Sequence, residues 1–411
     1  MKYFLSKKDK NLNGTINLPS SKSISNRLLI IHSLSNSDKP IENISTSDDT
    51  IVMQKALHEK SNLINIGHAG TAMRFLTAYF SIIPGERIIT GSERMKQRPI
   101  KILVDALRIL GAEIEYEGNE GFPPLKIKGK NLKGGKTELN GNISSQYISA
   151  LLLIAPILKG GLTLHLTGNI ISRSYIEMTL KLMEQSGILW SWKGPDIHIN
   201  EQSYNSERFF VESDWTAASY WYEMLSLSDS GSITLKNLHS ESLQGDCILP
   251  SWFKGFNIKS KFKGDDVILE KTDSLVPKNL KLNFTENPDL AQTMVVLCVL
   301  KNIPFHFTGL KTLKIKETDR IFALKTELAK LGANITEPAN GELSWDGSLS
   351  LKKDPIPCFS TYTDHRMALS LSPVAMCRDI IIDSPEVVTK SYPLFFKDLV
   401  QTGYIVRENK N

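Results

Sequence analysis

Six times along this 411-residue chain, a cluster of polar residues stands directly before an apolar stretch of helical length. The clusters begin at Ser21, His68, Ser144, Asp214, Asn287 and Asp364. Their starting points lie 47, 76, 70, 73 and 77 residues apart. Polar residues in such places cap helices, and a helix start offers unpaired N–H groups and a positive dipole end to an anion. The spacing predicts a repeated unit, and the caps predict an anionic ligand.

The segments behind these clusters share a further pattern. Behind the third cluster the apolar spacing predicts a helix, a strand at 162–166, a second helix at 178–185 and two strands near 188–192 and 196–199. The sequence Leu-Gly-Ala-x-Ile, which would end a helix and open a strand, occurs at 110–114 and again at 331–335. Such a helix–strand–helix–strand–strand unit cannot bury its own faces alone. We predict an α/β fold of six units, the first one shortened, although an unrepeated α/β protein with ordinary helix caps remains an alternative.

The charge balance is mildly basic. The chain has 49 Lys and Arg residues against 44 Asp and Glu residues, a net charge of +5. That balance suits a small anion as well as a nucleic acid. The sequence has no run of five basic residues and no alternation of basic and aromatic residues, so we expect no nucleic-acid partner. The length predicts two or three domains.

The cysteines and the apolar runs indicate a cellular setting. The four cysteines are far apart and lack the spacing of a metal site, which is typical of a reduced, cytoplasmic protein. The first ten residues lack the apolar core of a signal peptide, and the longest apolar runs are too short to span a bilayer. We therefore expect a cytoplasmic protein without a membrane segment.

Two charged motifs predict where anions bind and react. Lys22, Ser23 and Arg27 would combine with a helix start into a cradle for a phosphate or carboxylate. Lys316 and Arg320 would share a helical face, with the Glu317 carboxylate available for proton transfer. The alternatives are a capping serine beside solvated cations and a salt-bridged surface helix.

No metal or nucleotide motif is visible in the sequence. The eight histidines form no H-x-H or H-E-x-x-H pair, and no carboxylate cluster has the spacing of a calcium or magnesium loop. Neither a P-loop nor a G-x-G-x-x-G sequence occurs. We predict a site without metal or cofactor that binds a pair of small polyanions through Arg and Lys.

Taken together, seven motifs in chain order carry a resemblance that covers nearly the whole sequence. They are Leu18-Pro19-x-Ser21-Lys22-Ser23-x-Ser25-x-Arg27, Ala69-Gly70-Thr71-Ala72-Met73-Arg74, Arg94-Met95-Lys96-x-Arg98-Pro99-Ile100, Ser144-Ser145-Gln146, Gln244-Gly245-Asp246, Lys316-Glu317-Thr318-Asp319-Arg320 and Asp364-His365-Arg366-Met367-Ala368. In this order they resemble the 5-enolpyruvylshikimate-3-phosphate synthase family. Any one motif would be weak evidence, whereas seven in sequence are specific.

The resemblance implies a fold of two domains, each an inside-out α/β barrel of three repeated units. Residues 20–211 would form the first domain. Residues 1–19 and 212–411 would form the second, with the active site in the cleft between domains that close on the substrates. A monomer is expected.

The resemblance also implies a reaction and the roles of individual residues. The enolpyruvyl group of phosphoenolpyruvate would pass to the 5-hydroxyl of shikimate 3-phosphate through a tetrahedral intermediate that loses phosphate. Asp289, Glu317 and Lys22 would be catalytic. Residues implied to bind shikimate 3-phosphate are Lys22, Ser23, Arg27, Ser144, Ser145, Gln146, Ser172, Tyr175, Asp289 and Lys316. Residues implied to bind phosphoenolpyruvate are Lys22, Gly70, Arg98, Gln146, Arg320, Arg366 and Lys390.

Some positions depart from the family pattern, and two other functions stay open. The departures are Ser20, His68, Lys101, Ser174 and Thr312. A sister enolpyruvyl transferase that acts on UDP-N-acetylglucosamine usually has a reactive cysteine in its first domain, whereas all four cysteines here lie at Cys247 or later. A non-catalytic anion- or RNA-binding repeat protein would need the cations but neither Asp289 nor Glu317.

Overall fold

The structure is a computed structural model, and it describes residues 1–35, 38–205, 208–273, 276–350 and 356–409. The chain divides into two compact units. The inserted unit is Ser20–Val211, and the discontinuous unit joins Met1–Pro19 to Glu212–Asn411. Within the described residues, no helix is both long and apolar enough to cross a bilayer.

The chain begins with two strands of the discontinuous unit and then enters the inserted unit. These strands are β1 (Lys2–Ser6) and β2 (Asn11–Ile16). The helices of the inserted unit are α1 (Lys22–Ser35), α2 (Asp48–His58), α3 (Gly70–Ile82), α4 (Lys101–Ile109), α5 (Ser145–Ile154) and α6 (Arg173–Gln185). Its strands are β3 (Ile41–Glu42), β4 (Leu63–Asn65), β5 (Gly85–Thr90), β6 (Glu113–Tyr116), β7 (Leu125–Gly129), β8 (Lys133–Asn140), β9 (Lys159–Thr167), β10 (Trp190–Lys193), β11 (Asp196–Ile199) and β12 (Phe209–Phe210).

Helices form the centre of the inserted unit because two of them are apolar on every face. Every residue of α3 except Thr71 is buried, and so is every residue of α5 except Gln146. A helix without a polar face must be buried on all sides. The strands flank these helices in two four-stranded sheets of order β4-β5-β7-β6 and β8-β9-β11-β10. In each sheet the first two strands are parallel and the other two are added antiparallel.

The discontinuous unit continues the numbering after Glu212. Its helices are α7 (Trp215–Leu227), α8 (Leu249–Phe253), α9 (Ala291–Leu300), α10 (Arg320–Ala329), α11 (His365–Leu371) and α12 (Phe395–Gln401). Its further strands are β13 (Ser230–Leu235), β14 (Ile258–Lys263), β15 (Asp266–Lys271), β16 (Leu280–Asn283), β17 (Phe305–Thr308), β18 (Leu343–Trp345), β19 (Cys358–Phe359), β20 (Ile380–Asp383) and β21 (Ile405–Glu408).

The first strands of the chain complete two sheets of the discontinuous unit. Strand β1 lies between β20 and β21, antiparallel to both, and β2 runs parallel to β13 at the edge of the order β14-β15-β13-β2. Helices α7 and α9 are almost wholly buried and pack against each other. The apolar core of this unit thus lies around central helices, with strands outside them.

The sequence-based prediction of an α/β fold is confirmed, and each polar cluster begins a helix. The clusters lead into α1, α3, α5, α7, α9 and α11, with a short 3₁₀ turn (Pro288–Leu290) before α9. The strand expected after the second Leu-Gly-Ala-x-Ile sequence is wrong, because Ala333 and Thr336 form only isolated bridges. The six-unit repeat stays a prediction, since β3 pairs only with β12 and β4 pairs with β5 of the following segment.

Gly231 in β13 tests how tightly β2 is held. It has a φ of +145°, and a Cβ there would lie 1.9 Å from the carbonyl oxygen of its strand partner Leu12. Gly135 in β8 has nearly the same φ, +143°, but has nothing within 4 Å of that point. We expect Gly135→Ala to cost about 1 kcal/mol of unfolding free energy and Gly231→Ala about 3 kcal/mol, because only the latter adds a clash.

Urea denaturation followed by circular dichroism measures both variants. Both variants place an alanine at a positive φ. The difference between their unfolding free energies therefore reports on the contact with β2. Equal costs would show that β2 can shift away from β13 without loss.

Candidate functional site

The predicted site residues fall into two groups, one in each unit. The inserted unit holds Lys22, Ser23, Arg27, Gly70, Arg98, Ser144, Ser145, Gln146, Ser172 and Tyr175. The discontinuous unit holds Asp289, Lys316, Glu317, Arg320, Arg366 and Lys390.

Arg27 is a buried cation of the inserted unit. Its Nε donates to Thr179 Oγ1 at 2.7 Å, and its Nη2 donates to Ser149 Oγ at 3.2 Å and to the Tyr175 carbonyl at 3.3 Å. Its Nη1 donates to the Ser23 carbonyl at 2.8 Å. These partners, all among the described residues, are uncharged. Burial lowers the pKa of Arg27 to about 10, so the guanidinium remains charged at neutral pH and suits an anion.

The same contacts bring the N-terminal ends of three helices close together. Arg27 lies in the second turn of α1, Ser149 in the second turn of α5, and Thr179 in the second turn of α6. Because these three residues are in contact, the first turns of α1, α5 and α6 lie close together. Their N–H groups and dipole ends add to the positive potential around Arg27.

Several predicted hydroxyl groups stand at these helix starts. Ser144 caps α5 by accepting a hydrogen bond from the Gln146 N–H, and Ser145 is the first helical residue. Ser172 precedes α6 in the left-handed conformation, with a φ of +53°. A non-glycine residue held in this region is often found at a functional site.

Lys22 begins α1 and is held by a carboxylate that the sequence analysis did not assign. Its Nζ lies 3.2 Å from Asp49 Oδ2 on α2, and the two side chains are only 14% and 6% exposed. An aspartate near a helix start is common, so sequence alone gave no signal for this pair.

Arg98 lies against the start of α3. A Cβ at Gly70 would lie 2.5 Å from Arg98 Nη1, so a larger residue at this position would have to displace the end of the arginine side chain. The carbonyl of Pro99 accepts hydrogen bonds from Arg74 Nη2 at 3.0 Å and from the Tyr147 hydroxyl at 2.5 Å. These bonds fix the segment that carries Arg98.

Two further contacts tie this part of the inserted unit together. His68 Nδ1 and Ser92 Oγ are 2.9 Å apart, which joins the residues before α3 to the segment before Arg98. Gln146 Nε2 donates to Thr71 Oγ1 at 3.2 Å, which joins the starts of α5 and α3. Gly70, Arg98 and Gln146 are therefore brought together, as the resemblance implies.

Arg320 is the centre of the second group. It is 1% exposed and meets Asp364 through two hydrogen bonds, Nε to Oδ2 at 2.8 Å and Nη2 to Oδ1 at 3.1 Å. It also donates to Glu317 Oε2 at 3.0 Å and to Asp289 Oδ1 at 3.2 Å. Burial disfavours its charge, but these three carboxylates outweigh burial and raise the pKa of Arg320.

Three other cations surround the same carboxylates. Arg366 Nη2 donates to Asp289 Oδ2 at 3.0 Å, and Lys316 Nζ lies 3.7 Å from Asp289 Oδ1. Lys390 Nζ donates to Glu317 Oε1 at 2.6 Å. Burial lowers the pKa of Lys316, and Asp289 opposes that shift. Among the described residues, these four cations pair with the carboxylates of Asp289, Glu317 and Asp364.

The cap of α10 explains which of these residues are helical, and it corrects one prediction. Asp319 caps α10 by accepting a hydrogen bond from the Phe322 N–H, so the helix begins at Arg320. Lys316 and Glu317 lie before the helix, and the predicted helical face shared by Lys316 and Arg320 is wrong. Lys316 nevertheless reaches Asp289 from this extended position.

Two buried aspartates of this group were quoted in the sequence motifs without a role. Asp364, fully buried, caps α11 and pairs with Arg320. Asp246 accepts hydrogen bonds from Thr216 Oγ1 at 2.5 Å and from Asn287 Nδ2 at 3.1 Å. Burial, followed by the charge of Asp289, raises the pKa of Asp246 to about 6. Its link to Asn287 fixes the turn that carries Asp289.

The described residues contain no group of three or more His, Cys, Asp or Glu side chains arranged to hold a metal ion. The chemistry that the two groups offer is anion binding by Arg and Lys, next to the carboxylates of Asp289 and Glu317.

The whole chain is similar to proteins of one family. The model of the EPSP synthase (3-phosphoshikimate 1-carboxyvinyltransferase) family matches residues 6–63 and 57–399. This chain belongs to the EPSP synthase family. A 3-phosphoshikimate 1-carboxyvinyltransferase from Bacteroides fragilis (strain YCH46) is 51% identical over 409 residues, covering 99% of each chain. One from Buchnera aphidicola subsp. Cinara cedri is 33% identical, covering 97% of each chain.

Solved structures of the family share the fold. An EPSP synthase from Acinetobacter baumannii superposes with a TM-score of 0.77 at 19% identity, covering 99% of this chain and 100% of the other. At that identity the likeness concerns the fold alone. The family resemblance inferred from the seven motifs is confirmed.

Arg320 should dominate the stability of the discontinuous unit. We expect Arg320→Met to lower the unfolding free energy by about 3–5 kcal/mol, because it leaves the buried Asp364 carboxylate without its partner.

Chemical denaturation of the wild type and of Arg320→Met measures this effect. Lys101→Met, which breaks exposed pairs with Asp105 and Glu120, is the control and should leave the denaturation midpoint nearly unchanged. Equal denaturation midpoints for the two variants would contradict the claim that Arg320 dominates the stability of the discontinuous unit.

Proposed function

We propose that this chain is a 3-phosphoshikimate 1-carboxyvinyltransferase. It moves the enolpyruvyl group of phosphoenolpyruvate to the 5-hydroxyl of shikimate 3-phosphate and releases phosphate. The observation that carries the proposal is the cluster in which Arg320, Arg366, Lys316 and Lys390 surround carboxylates suited to proton transfer. Relatives of that name along the full length of the chain support it.

The reaction needs proton transfer at two atoms and stabilisation of several negative charges. The 5-hydroxyl loses its proton as its oxygen bonds to C2 of phosphoenolpyruvate, and C3 gains a proton. The tetrahedral intermediate then loses a proton from C3 and phosphate from C2, which restores the double bond. Each substrate carries a phosphate and a carboxylate, so fixed cations are required throughout.

In the inserted unit, we assign the binding of shikimate 3-phosphate to the surroundings of Arg27. The buried guanidinium has uncharged partners, and three helix starts add positive potential. The full assigned set is Lys22, Ser23, Arg27, Ser144, Ser145, Gln146, Ser172 and Tyr175, with Asp289 and Lys316 from the other unit. Phosphoenolpyruvate is assigned to Lys22, Gly70, Arg98 and Gln146, with Arg320, Arg366 and Lys390.

Asp289 and Glu317 are assigned the proton transfers, with Lys22 as a third catalytic group. Asp289 accepts the proton of the 5-hydroxyl, and Glu317 gives a proton to C3 and later takes one back. Both carboxylates are paired with cations that we assign to phosphoenolpyruvate. When the substrate anions take over those cations, the two carboxylates become available for proton transfer.

We also infer that the enzyme acts as a monomer in the cytoplasm. Its four cysteines are free thiols, which suits a reducing compartment. Light scattering after size exclusion tests the monomer, for which the mass is 46.0 kDa.

Phosphate release by the purified protein tests the function. Shikimate 3-phosphate and phosphoenolpyruvate are supplied in EDTA, and UDP-N-acetylglucosamine is supplied separately as the alternative acceptor. We expect release only with shikimate 3-phosphate. Release only with UDP-N-acetylglucosamine would identify the sister transferase, and release with neither would overturn the proposal.

The two proton carriers should affect turnover more than binding. We expect Glu317→Gln and Asp289→Asn to lower kcat by about 10²–10⁴-fold, with KM values that change much less, because each variant keeps the shape and loses the proton-transfer group. Steady-state phosphate release measures both constants.

Arg27→Met is the contrasting variant. It removes a binding cation far in sequence from the carboxylates, so the KM for shikimate 3-phosphate should rise while kcat falls less. Turnover that survives in both carboxylate variants would remove Asp289 and Glu317 from the chemistry.

A further inference from the structure

The turn before α11 holds two strained residues in succession. Tyr362 and Thr363 have φ values of +52° and +54°. Among the described residues, no other two consecutive non-glycine residues have positive φ. Left-handed backbone is unfavourable for side chains, most of all for a β-branched threonine. Such a turn persists only when its surroundings hold it.

Glu327 on α10 holds the side of the turn that comes first in the chain. Its carboxylate is 1% exposed and accepts hydrogen bonds from the Tyr362 hydroxyl at 2.7 Å and from the Ser360 N–H at 2.9 Å. Lys330 donates to the same carboxylate at 2.6 Å and to the Cys358 carbonyl at 2.8 Å. A buried carboxylate is costly unless it is fully engaged, and here it engages the strained segment.

Arg320 holds the other side of the turn. It binds Asp364, the residue directly after Thr363, through two hydrogen bonds. Arg320 and Glu327 are seven residues apart, so they lie on one face of α10 about 10 Å apart along its axis. Helix α10 therefore holds the chain on both sides of the pair Tyr362 and Thr363 through hydrogen bonds.

The direction of Arg366 depends on this turn. The Asp364 N–H donates to the Thr361 carbonyl at 2.9 Å, and Asp364 Oδ1 accepts from the Arg366 N–H at 2.9 Å. Arg366 then reaches Asp289 at 3.0 Å. A turn that relaxed to ordinary backbone angles would rotate the start of α11 and move this guanidinium.

We propose that Glu327 is a positioning residue for Arg366. By holding Tyr362 and Ser360, it keeps the strained turn in the form that points Arg366 toward Asp289 and the phosphoenolpyruvate anion. The part that concerns phosphoenolpyruvate rests on the proposed function. The part that concerns the position of Arg366 stands on the contacts alone.

Kinetics of Glu327→Gln test the first part. We expect the KM for phosphoenolpyruvate to rise about tenfold, with kcat and the affinity for shikimate 3-phosphate changed less than about twofold. Glu337→Gln is the matched control, because Glu337 also accepts from a lysine, Lys314, and from a backbone N–H, that of Gly341. It should leave all three constants unchanged.

A second substitution separates positioning from general support of the core. Asparagine tolerates left-handed backbone far better than threonine. We expect Thr363→Asn in the Glu327→Gln protein to return the KM for phosphoenolpyruvate to within about threefold of wild type. If Glu327 only supported the core, a substitution at Thr363, which is exposed, would not restore the KM. If Glu327→Gln fails to fold, Tyr362→Phe removes one of the same hydrogen bonds and should raise that KM by about threefold.

Chemical modification reads the position of Arg366 without any substrate. Phenylglyoxal, with peptide mapping by mass spectrometry, should modify Arg366 at least about fivefold faster in Glu327→Gln than in wild type, and Thr363→Asn should reverse the change. An unchanged rate, or a KM shift that Thr363→Asn does not reverse, overturns the positioning role. An inactive wild type overturns the proposed function, while the modification rates still decide the position of Arg366.

Discussion

The charged cluster of the discontinuous unit depends on one buried guanidinium. Arg320 meets Asp364, Glu317 and Asp289, which precede α11, α10 and α9 respectively. Removing such charges from water is expensive, and the two-bond geometry with Asp364 and the additional carboxylates offset that cost. Three chain segments that are distant in sequence are thereby fixed around one side chain. Arg366, Lys316 and Lys390 then take their positions from Asp289 and Glu317, so these cations are paired within the cluster itself.

Arg27 of the inserted unit differs from Arg320 in the charge of its partners. Its partners are hydroxyls, carbonyls and aromatic rings, and burial lowers its pKa to about 10. An anion that binds there adds the missing negative charge and displaces no carboxylate. An anion that binds to Arg320, Arg366 or Lys390 must compete with carboxylates already in place. The proposed chemistry uses this difference, because only displaced carboxylates are available to move protons.

Features that are decided locally could be predicted from the sequence, and features that need long-range pairing could not. Polar caps act within a few residues, so each of the six polar clusters could be predicted to begin a helix. The candidate site residues came from the family resemblance, and the structure places them in two groups, one within each unit. The predicted helical face of Lys316 was wrong because Asp319, three residues later, caps the helix. Neither Asp364 with Arg320 nor Asp49 with Lys22 could be paired in advance, since these partners are 44 and 27 residues apart.

Several residues that begin helices are also residues to which we assign ligand binding, and that assignment couples stability to binding. Ser144 caps α5 and is assigned to shikimate 3-phosphate, whereas Asp364 caps α11 and neutralises Arg320. A cap satisfies N–H groups that would otherwise point unpaired into the site. Replacing such a residue therefore changes the helix start and the field around the ligand at once. Glu327 is different in kind, because it lies two turns inside α10 and, among the described residues, is bonded to Ser360 and Tyr362 of the strained turn. Its influence on binding can be separated from helix capping, which makes it the more informative residue for the link between fold and function.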